Sequence, residues 1–407
     1  MKPFSFVHVA DLHLGYTQYN MEIRREDFDK AFKEVVEKTV QLKPDFMIIA
    51  GDLFQHARPS NVTLENAIKN FKQLKDAGIQ VLAVDGSHDA APNIITSTIL
   101  NPLDSAGLIY YLPRHEGACW RNQNCYVYGI PCYRTKQKTE EQLPQFYAQH
   151  KPTPKPDAYN IFVFHGTLDM ANLKPPQMEA EISAELLPEG FNYYAGGHVH
   201  KPSYTTFKKG LLVYSGSVET VNYEDASAEK GFYHVKVNEN GVAKLDFVRL
   251  ESPRRFIILK RDFSGMTPNK ITEAAIQLIK EKDEMGAIIV PILEGVLPTG
   301  ANRSEVDTIQ IRSAAEKALL VHPIIRLREA EVPEEIIRSI FEGELKDLKT
   351  KAYEYFLQIF SEIHGREEAE RIAKLALNIL EPLTRKEEDK VKESLEAYVN
   401  ANRNSRT

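Results

Sequence analysis

An α/β sandwich with a largely parallel sheet at its start, then a small α+β unit, then a run of amphipathic helices, is the architecture this sequence predicts. Three observations predict it. Apolar runs of strand length alternate with helical periodicity through the first part, a shorter strand and helix pattern follows, and beyond Pro333 glycine is confined to Gly343 and Gly365 while Glu and Lys multiply.

The first apolar runs, Phe4–Ala10, Phe46–Ala50 and Ile79–Val84, have strand length, and Asp27–Leu42 and Val62–Ala77 between them carry apolar residues at helical spacing. Strands at Cys125–Ile130, Asn160–Phe164, Tyr193–Ala195 and Leu211–Tyr214 follow. Two alternating runs, Gly231–Val237 and Val242–Leu250, meet at Asn238-Glu239-Asn240-Gly241, a hairpin signal that closes the first domain. The proline-rich stretch Lys151 to Pro156 lies between two strands of that domain, so it reads as a surface loop. Next come strands Phe256–Leu259 and Ala287–Leu293, helices Lys270–Lys280 and Ser304–Leu319, and a last strand near Ile324–Leu327. From Glu334 to Val399, Leu345, Leu348, Tyr355, Phe356 and Ile359 form one apolar set and Ile372, Leu375, Leu377 and Leu380 another. The resulting domains are 1–250, 251–330 and 331–407.

A chain of 407 residues exceeds what one core usually serves, in keeping with that division. With 43% apolar and 27% charged residues the composition is that of a soluble globular protein. No stretch approaches the roughly 18 apolar residues of a membrane span, and no signal-peptide layout precedes Phe4, so an intracellular location is expected, in cytoplasm, nucleoid or nucleus. Cys119, Cys125 and Cys132 match no zinc spacing and read as free thiols. The net charge of −6 argues against binding a polyanion by bulk electrostatics. A phosphate substrate would need local attraction, which bound divalent cations provide.

Five short motifs at strand ends supply residues able to hold such cations: Asp11-Leu12-His13, Gly51-Asp52, Gly86-Ser87-His88-Asp89, His165-Gly166 and Gly197-His198-Val199-His200. Each alone has a plain structural reading, since Gly-Asp is usually a turn and a lone His after a strand is usually a satisfied one. In open α/β sheets, however, ligands bind where strands end, so five such ends can converge on one crevice. A carboxylate such as Asp52 can bridge two cations, and a mixed Asp and His set suits Mn, Fe or Zn better than Ca. Two ions so held can clamp a phosphodiester and activate water, which is the chemistry of phosphate ester hydrolysis.

The series Asp-x-His, Gly-Asp, Gly-x-His-Asp, His and Gly-His-x-His resembles that of the calcineurin-like metallophosphoesterases. The surroundings Val9 to Gly15, Gly51-Asp52-Leu53-Phe54 and Arg58-Pro59-Ser60 are similar to the meiotic-recombination-eleven/SbcD group of double-strand-break-repair nucleases. The resemblance implies a β-sandwich flanked by helices, a small α+β capping domain and C-terminal partner-binding helices. It implies that Asp11, His13, Asp52 and His200 hold one metal, that Asp52, His165 and His198 hold the other, and that His88, unliganded, protonates the leaving group or steadies the transition state. Two manganese ions, exonuclease and endonuclease cleavage of DNA, a homodimer through the helices after the second and third motifs, and an SMC-like ABC ATPase bound through residues 334–399 follow by the same resemblance. The apolar residues in question are Ala67, Phe71 and Leu74, and Ile94, Ile95, Ile99 and Leu100.

Two positions depart from that pattern. Ser87 stands where the group has an Asn ligand to the second metal, and Gln55 where many members have a second histidine, with His56 adjacent. His8, inside the first strand, reads as structural, as do His115, His150, His234, His322 and His364, and Trp120 as packed on the sheet. Two other functions compete with the nuclease: a small-molecule phosphodiesterase of the same superfamily, and a scaffold for DNA or the ATPase with a weakened site. Everything after Ser252 argues against the first, and only Ser87 and Gln55 speak for the second.

Overall fold

The computed structural model describes residues 1–90, 97–170, 173–175, 178–330, 345–384 and 387–404, in two compact units, Met1–Arg254 and Arg255–Thr407. In the first unit the chain runs β1 (Phe4–Val9), α1 (Glu22–Leu42), β2 (Phe46–Ala50), α2 (Asn61–Asp76), β3 (Gln80–Val84), α3 (Leu100–Ser105), β4 (Tyr110–Tyr111), β5 (Cys119–Arg121) and β6 (Cys125–Gly129). It continues through α4 (Lys136–Gln149), β7 (Tyr159–His165), β8 (Tyr193–Gly197), β9 (Ser203–Phe207), β10 (Gly210–Tyr214), β11 (Gly231–Val237) and β12 (Ala243–Arg249). Two sheets result, in the orders β12-β11-β1-β2-β3-β4 and β5-β6-β7-β8-β10-β9. Strands β1 to β4 are parallel neighbours, as are β6, β7, β8 and β10, while antiparallel strands close three of the edges.

Alternation along the strands makes the layers. On β1, Phe6 turns between the sheets, where its ring stacks on Phe46 at 5.3 Å, and Val7 and Val9 turn outward beneath α1 and α2. Burying a side chain the size of Phe6 stabilises by about 1.5–3 kcal/mol, and Ile48, Val127, Ile161, Val163, Ala195 and Val213 share that inter-sheet layer. A third layer, with Tyr128, Phe162 and Leu143 of α4, covers the outer face of the second sheet. Because both faces of both sheets are covered, the central strands read as continuous apolar runs. Helix α2 starts at Ser60, whose hydroxyl accepts the Thr63 N–H at 3.2 Å. The Asn238–Gly241 turn joins β11 to β12, with the Asn238 N–H on the Val242 carbonyl at 3.1 Å. Residues 251–254 belong to this unit: Glu34 accepts the Glu251 and Ser252 N–H groups, and Arg254 pairs with Asp27.

Residues set aside as structural fit that packing. His8 Nδ1 meets the Tyr193 hydroxyl at 2.9 Å, and Trp120 packs on Phe46. Ala67, Phe71, Leu74 and Leu100 are fully buried in the core of their own chain. They are therefore unavailable to a partner, and a dimer contact on these helices would have to use their other faces. Ile94 and Ile95 lie outside the described residues.

The second unit contains β13 (Phe256–Asp262), α5 (Pro268–Glu281), β14 (Ile288–Val296), α6 (Thr308–Arg312), β15 (Leu320–Val321) and β16 (Ile324–Arg328), in a parallel sheet with β13, β15 and β16 all paired to β14. Helix α5 covers it through Ile271, Ala275 and Ile279. The helix expected over Ser304–Leu319 is a correction: only Thr308–Arg312 is α-helical. The Asp283 carboxylate accepts the backbone N–H groups of Glu316, Lys317 and Ala318, so these donors bond to it instead of to carbonyls a turn earlier. Among the described residues three helices follow, α7 (Leu345–Ile363), α8 (Arg366–Thr384) and α9 (Glu388–Asn404). Ala352, Ile359, Ala369 and Ala373 are buried on them, while Leu395 and Val399 of α9 are exposed. The part of the expected helical segment before residue 345 lies outside the described residues.

Candidate metal centre

The strand ends bring the motif residues together. Among the described residues, three overlapping groups each present donor atoms within 4.8 Å of one another: Asp11, His13 and His200; Asp52, His165 and His198; and His13, Asp52 and His88. Asp52 links them, since its Oδ2 lies 3.2 Å from His165 Nε2 and 3.9 Å from His13 Nε2. Its Oδ1 accepts the His88 backbone N–H at 2.8 Å, and Ser87 Oγ lies 3.4 Å from Oδ2. His56, next to Gln55, is exposed and joins none of the groups.

The backbone is bent to achieve this. Asp11, His13, Asp52 and His198 all have positive φ, between 45° and 89°, a region costing non-glycine residues on the order of 1–3 kcal/mol each. Hydrogen bonds hold the bends. The Leu12 and His13 N–H groups both reach the Asp52 carbonyl, at 2.9 and 3.0 Å, and the His198 N–H donates to the Asp11 carboxylate at 3.0 Å. Asp89, fully buried, accepts N–H groups from Leu53, Phe54 and Gly86, tying the second loop to the third. At Gly51, with φ of 87°, a Cβ would collide with the His165 ring. The glycine of that motif is thus required by close approach as well as by φ.

Each donor histidine meets an oxygen through its far nitrogen, which decides which nitrogen faces the centre. His13 Nδ1 donates to Gln55 Oε1 at 2.9 Å, His165 Nδ1 to the Ala50 carbonyl at 2.9 Å and His200 Nδ1 to Asp225 Oδ2 at 2.9 Å, so all three turn Nε2 inward. His198 is reversed: its Nδ1 lies 3.2 Å from His165 Nε2, and its Nε2 faces Glu181 Oε2 at 3.6 Å. His88 donates Nδ1–H to the Gln55 carbonyl at 2.9 Å, leaving its Nε2 free for another partner. Gln55, Glu181 and Asp225, with Lys230 Nζ 2.9 Å from Asp225, escaped sequence reading. Gln55 drew notice only as a departure, and the other two lie in loops without periodicity.

Electrostatics among these groups are strong. Burial pushes Asp11 up to about 6, against the pull of His200 and His165. Burial also acts on Asp52, yet His165 overrides it and holds that carboxyl well below the usual range. Conversely, burial would lower His165, but Asp52 raises it to about 10. His13 and His198 are lowered to about 3, chiefly by burial. The donor chemistry fits divalent transition cations: imidazoles and carboxylates preoriented by outer partners, with one carboxylate placed to be shared. Beside His198 and His200 opens a cavity of about 290 Å³, to which Lys201, Asn222 and Met178 contribute.

Residues 4–202 match the family described as calcineurin-like phosphoesterase. The chain is 28% identical over 398 residues to the DNA double-strand break repair protein Mre11 of Archaeoglobus fulgidus, covering 91% of this chain and 83% of that one. It is 28% identical over 342 residues to the protein of the same name from Methanopyrus kandleri, covering 80% and 71%. Against that of Methanocaldococcus jannaschii it is 32% identical over 260 residues, covering 60% and 66%. With this match across the strand ends that carry the donors, residues 4–202 are a calcineurin-like phosphoesterase domain, and the chain is a metal-dependent phosphoesterase similar to archaeal Mre11 proteins.

Proposed function

We propose that the protein is a manganese-dependent DNA nuclease, with exonuclease and endonuclease activity, acting in double-strand break repair. The observation that carries this is the chain of overlapping donor groups joined through His13 and Asp52, read beside relatives named for break repair. Asp11, His13, Asp52 and His200 would hold one cation, and Asp52, His165 and His198 the other, with Ser87 beside the second. Two divalent cations held there supply the positive charge that draws in a phosphodiester and acidifies the attacking water.

The remaining steps belong to the chain's own residues. Water adds to phosphorus as the bond to the leaving sugar oxygen breaks; that oxygen takes a proton from His88 Nε2–H, and the proton shed by the water passes to solvent, from which His88 is reprotonated. The Gln55 carbonyl fixes the His88 ring for this through Nδ1–H. Gln55 therefore serves two histidines at once, orienting His13 by its side chain and His88 by its backbone.

Incubating the purified protein with labelled linear duplex and with bis-p-nitrophenyl phosphate, each with and without manganese, tests the reading. Manganese-dependent cleavage of both is expected. Hydrolysis of the small diester alone would replace the nuclease by a small-molecule phosphodiesterase, and neither by a scaffold.

We further propose that the protein works inside the cell as a homodimer with an SMC-like ABC ATPase that carries a coiled coil. Residues 334–399 would contact it, since amphipathic helices with exposed Leu395 and Val399 suit a helical partner. No helix among the described residues is long and apolar enough to cross a membrane. Removing residues after Pro333 should abolish co-purification with the ATPase and leave hydrolysis of the small diester intact; loss of both would make the helices an integral part of the catalytic core.

A further inference from the structure

Glu181 lies where no strand-end motif points, in the segment between β7 and β8. Its position is nevertheless fixed by backbone. The Glu181 and Ile182 N–H groups both donate to the Thr167 carbonyl, at 2.9 and 3.0 Å, and Asp169 N–H returns to the Ile182 carbonyl at 3.2 Å. The Thr167 hydroxyl donates to the Glu179 carbonyl at 2.6 Å. The segment 179–182 is thus stitched to the residues that directly follow His165. At Gly166 a Cβ would come within 3.1 Å of Glu181 Oε2, so the absence of a side chain there lets the carboxylate in.

That carboxylate oxygen sits 3.4 Å from the Thr167 N–H and 3.6 Å from His198 Nε2. Its side chain is only 17% exposed. His198 is the one donor histidine whose Nδ1, not Nε2, faces its neighbours in the centre. Beside this group Ser87 offers a neutral hydroxyl that lies 3.4 Å from Asp52 Oδ2. Two divalent cations also bring more positive charge than Asp11 and Asp52 can neutralise. A further carboxylate behind the weaker pocket meets both needs.

We propose that Glu181 is a positioning residue of the second donor group: it orients the His198 ring with Nδ1 toward the cation and adds negative charge to a pocket where Ser87 offers a neutral hydroxyl. The proposal rests on the two-cation reading of the site. It differs from a brace on the Thr167 backbone, which would serve the loop but leave cation binding alone.

Manganese binding to the full chain decides it, followed by calorimetry and by the electron paramagnetic resonance of the bound ions. Wild type should take up two ions that give the signature of a coupled pair. Glu181→Ala should weaken one ion by about 10–100-fold, leave the other unchanged and replace the coupled signal by that of a single ion. Glu181→Gln, which keeps an oxygen for Thr167 and loses the charge, should weaken the same ion by a smaller factor. Adding Ser87→Asn to Glu181→Ala should restore the second ion, because the longer amide supplies a donor directly. Two ions bound by both Glu181 variants as tightly as by wild type would overturn the proposal. So would equal weakening of both ions in Glu181→Gln with its melting temperature unchanged. Should Glu181→Ala fail to fold, Glu181→Gln alone decides. Fewer than two ions in wild type would instead overturn the two-cation reading itself.

Discussion

In the first donor group His13 and His200 each rest on a side-chain oxygen at 2.9 Å, whereas in the second His165 rests on a backbone carbonyl at 2.9 Å and His198 on Glu181 at 3.6 Å. The outer partners differ in kind as well. Asp225, behind His200, is itself held by Lys230 and by the Asn222 N–H, and His200 pulls its carboxyl below the usual range against the effect of burial. Glu181 has one backbone N–H, and burial raises it. The two donor groups thus differ in how firmly their histidines are set, and on the two-cation reading proposed above Ser87 belongs with the looser one. The expected consequence is unequal affinity for two ions of the same element.

Four experiments break or sharpen that contrast. His88→Ala should lower turnover by about 10²–10⁴-fold while both ions stay bound, since a general acid acts on the leaving oxygen without holding a cation. Loss of metal from this variant would make His88 a ligand in the group it forms with His13 and Asp52, and the two-pocket division would have to be redrawn. Asp225→Asn should weaken the first ion by about 10–100-fold and spare the second, the mirror image of the Glu181 variants; calorimetric titration reads both.

Ser87→Asn should tighten the second ion by about tenfold or more, lowering the manganese needed for cleavage. Coincident manganese titrations for the two forms would mean that the pocket is already complete. The smallest effect is a proton count. His165 is raised to about 10 by Asp52, and a cation binds only its neutral form, so at pH 7 filling the second pocket should release about one proton and the first none from His13. Affinity for that ion should therefore climb as pH rises toward 10 and fall on acidification. Binding heats measured in buffers of different ionisation enthalpy give the number.

Much of this was legible in the chain because strands declare themselves by apolar runs and parallel strands put their ends in one place. That logic finds Asp11, His13, Asp52, His165, His198 and His200, and the structure gathers them in one crevice. It cannot find Glu181 or Asp225, which arrive on returning loops whose course depends on backbone hydrogen bonds rather than on any period. Nor does it find the purpose of Gln55, which lies in bonds to residues 42 and 33 positions away. The misread helix at Ser304–Leu319 has the same origin, since its periodicity was sound and a distant carboxylate, Asp283, took the backbone donors. Side chains that replace a backbone partner leave no mark on hydropathy.

The placement of β1 has a consequence for how the protein is made. This strand pairs on one edge with β2, which follows it closely in the chain, but on the other with β11, in the register Phe4 to Val237. One edge can be satisfied early in synthesis; the other waits until more than half the chain has been translated. At about 5–20 residues per second that wait is on the order of ten to fifty seconds, during which an apolar strand edge stands open to any other nascent strand. A fold whose donor-bearing loops begin at β1 therefore spends that interval with those loops half built and one edge of β1 unpaired.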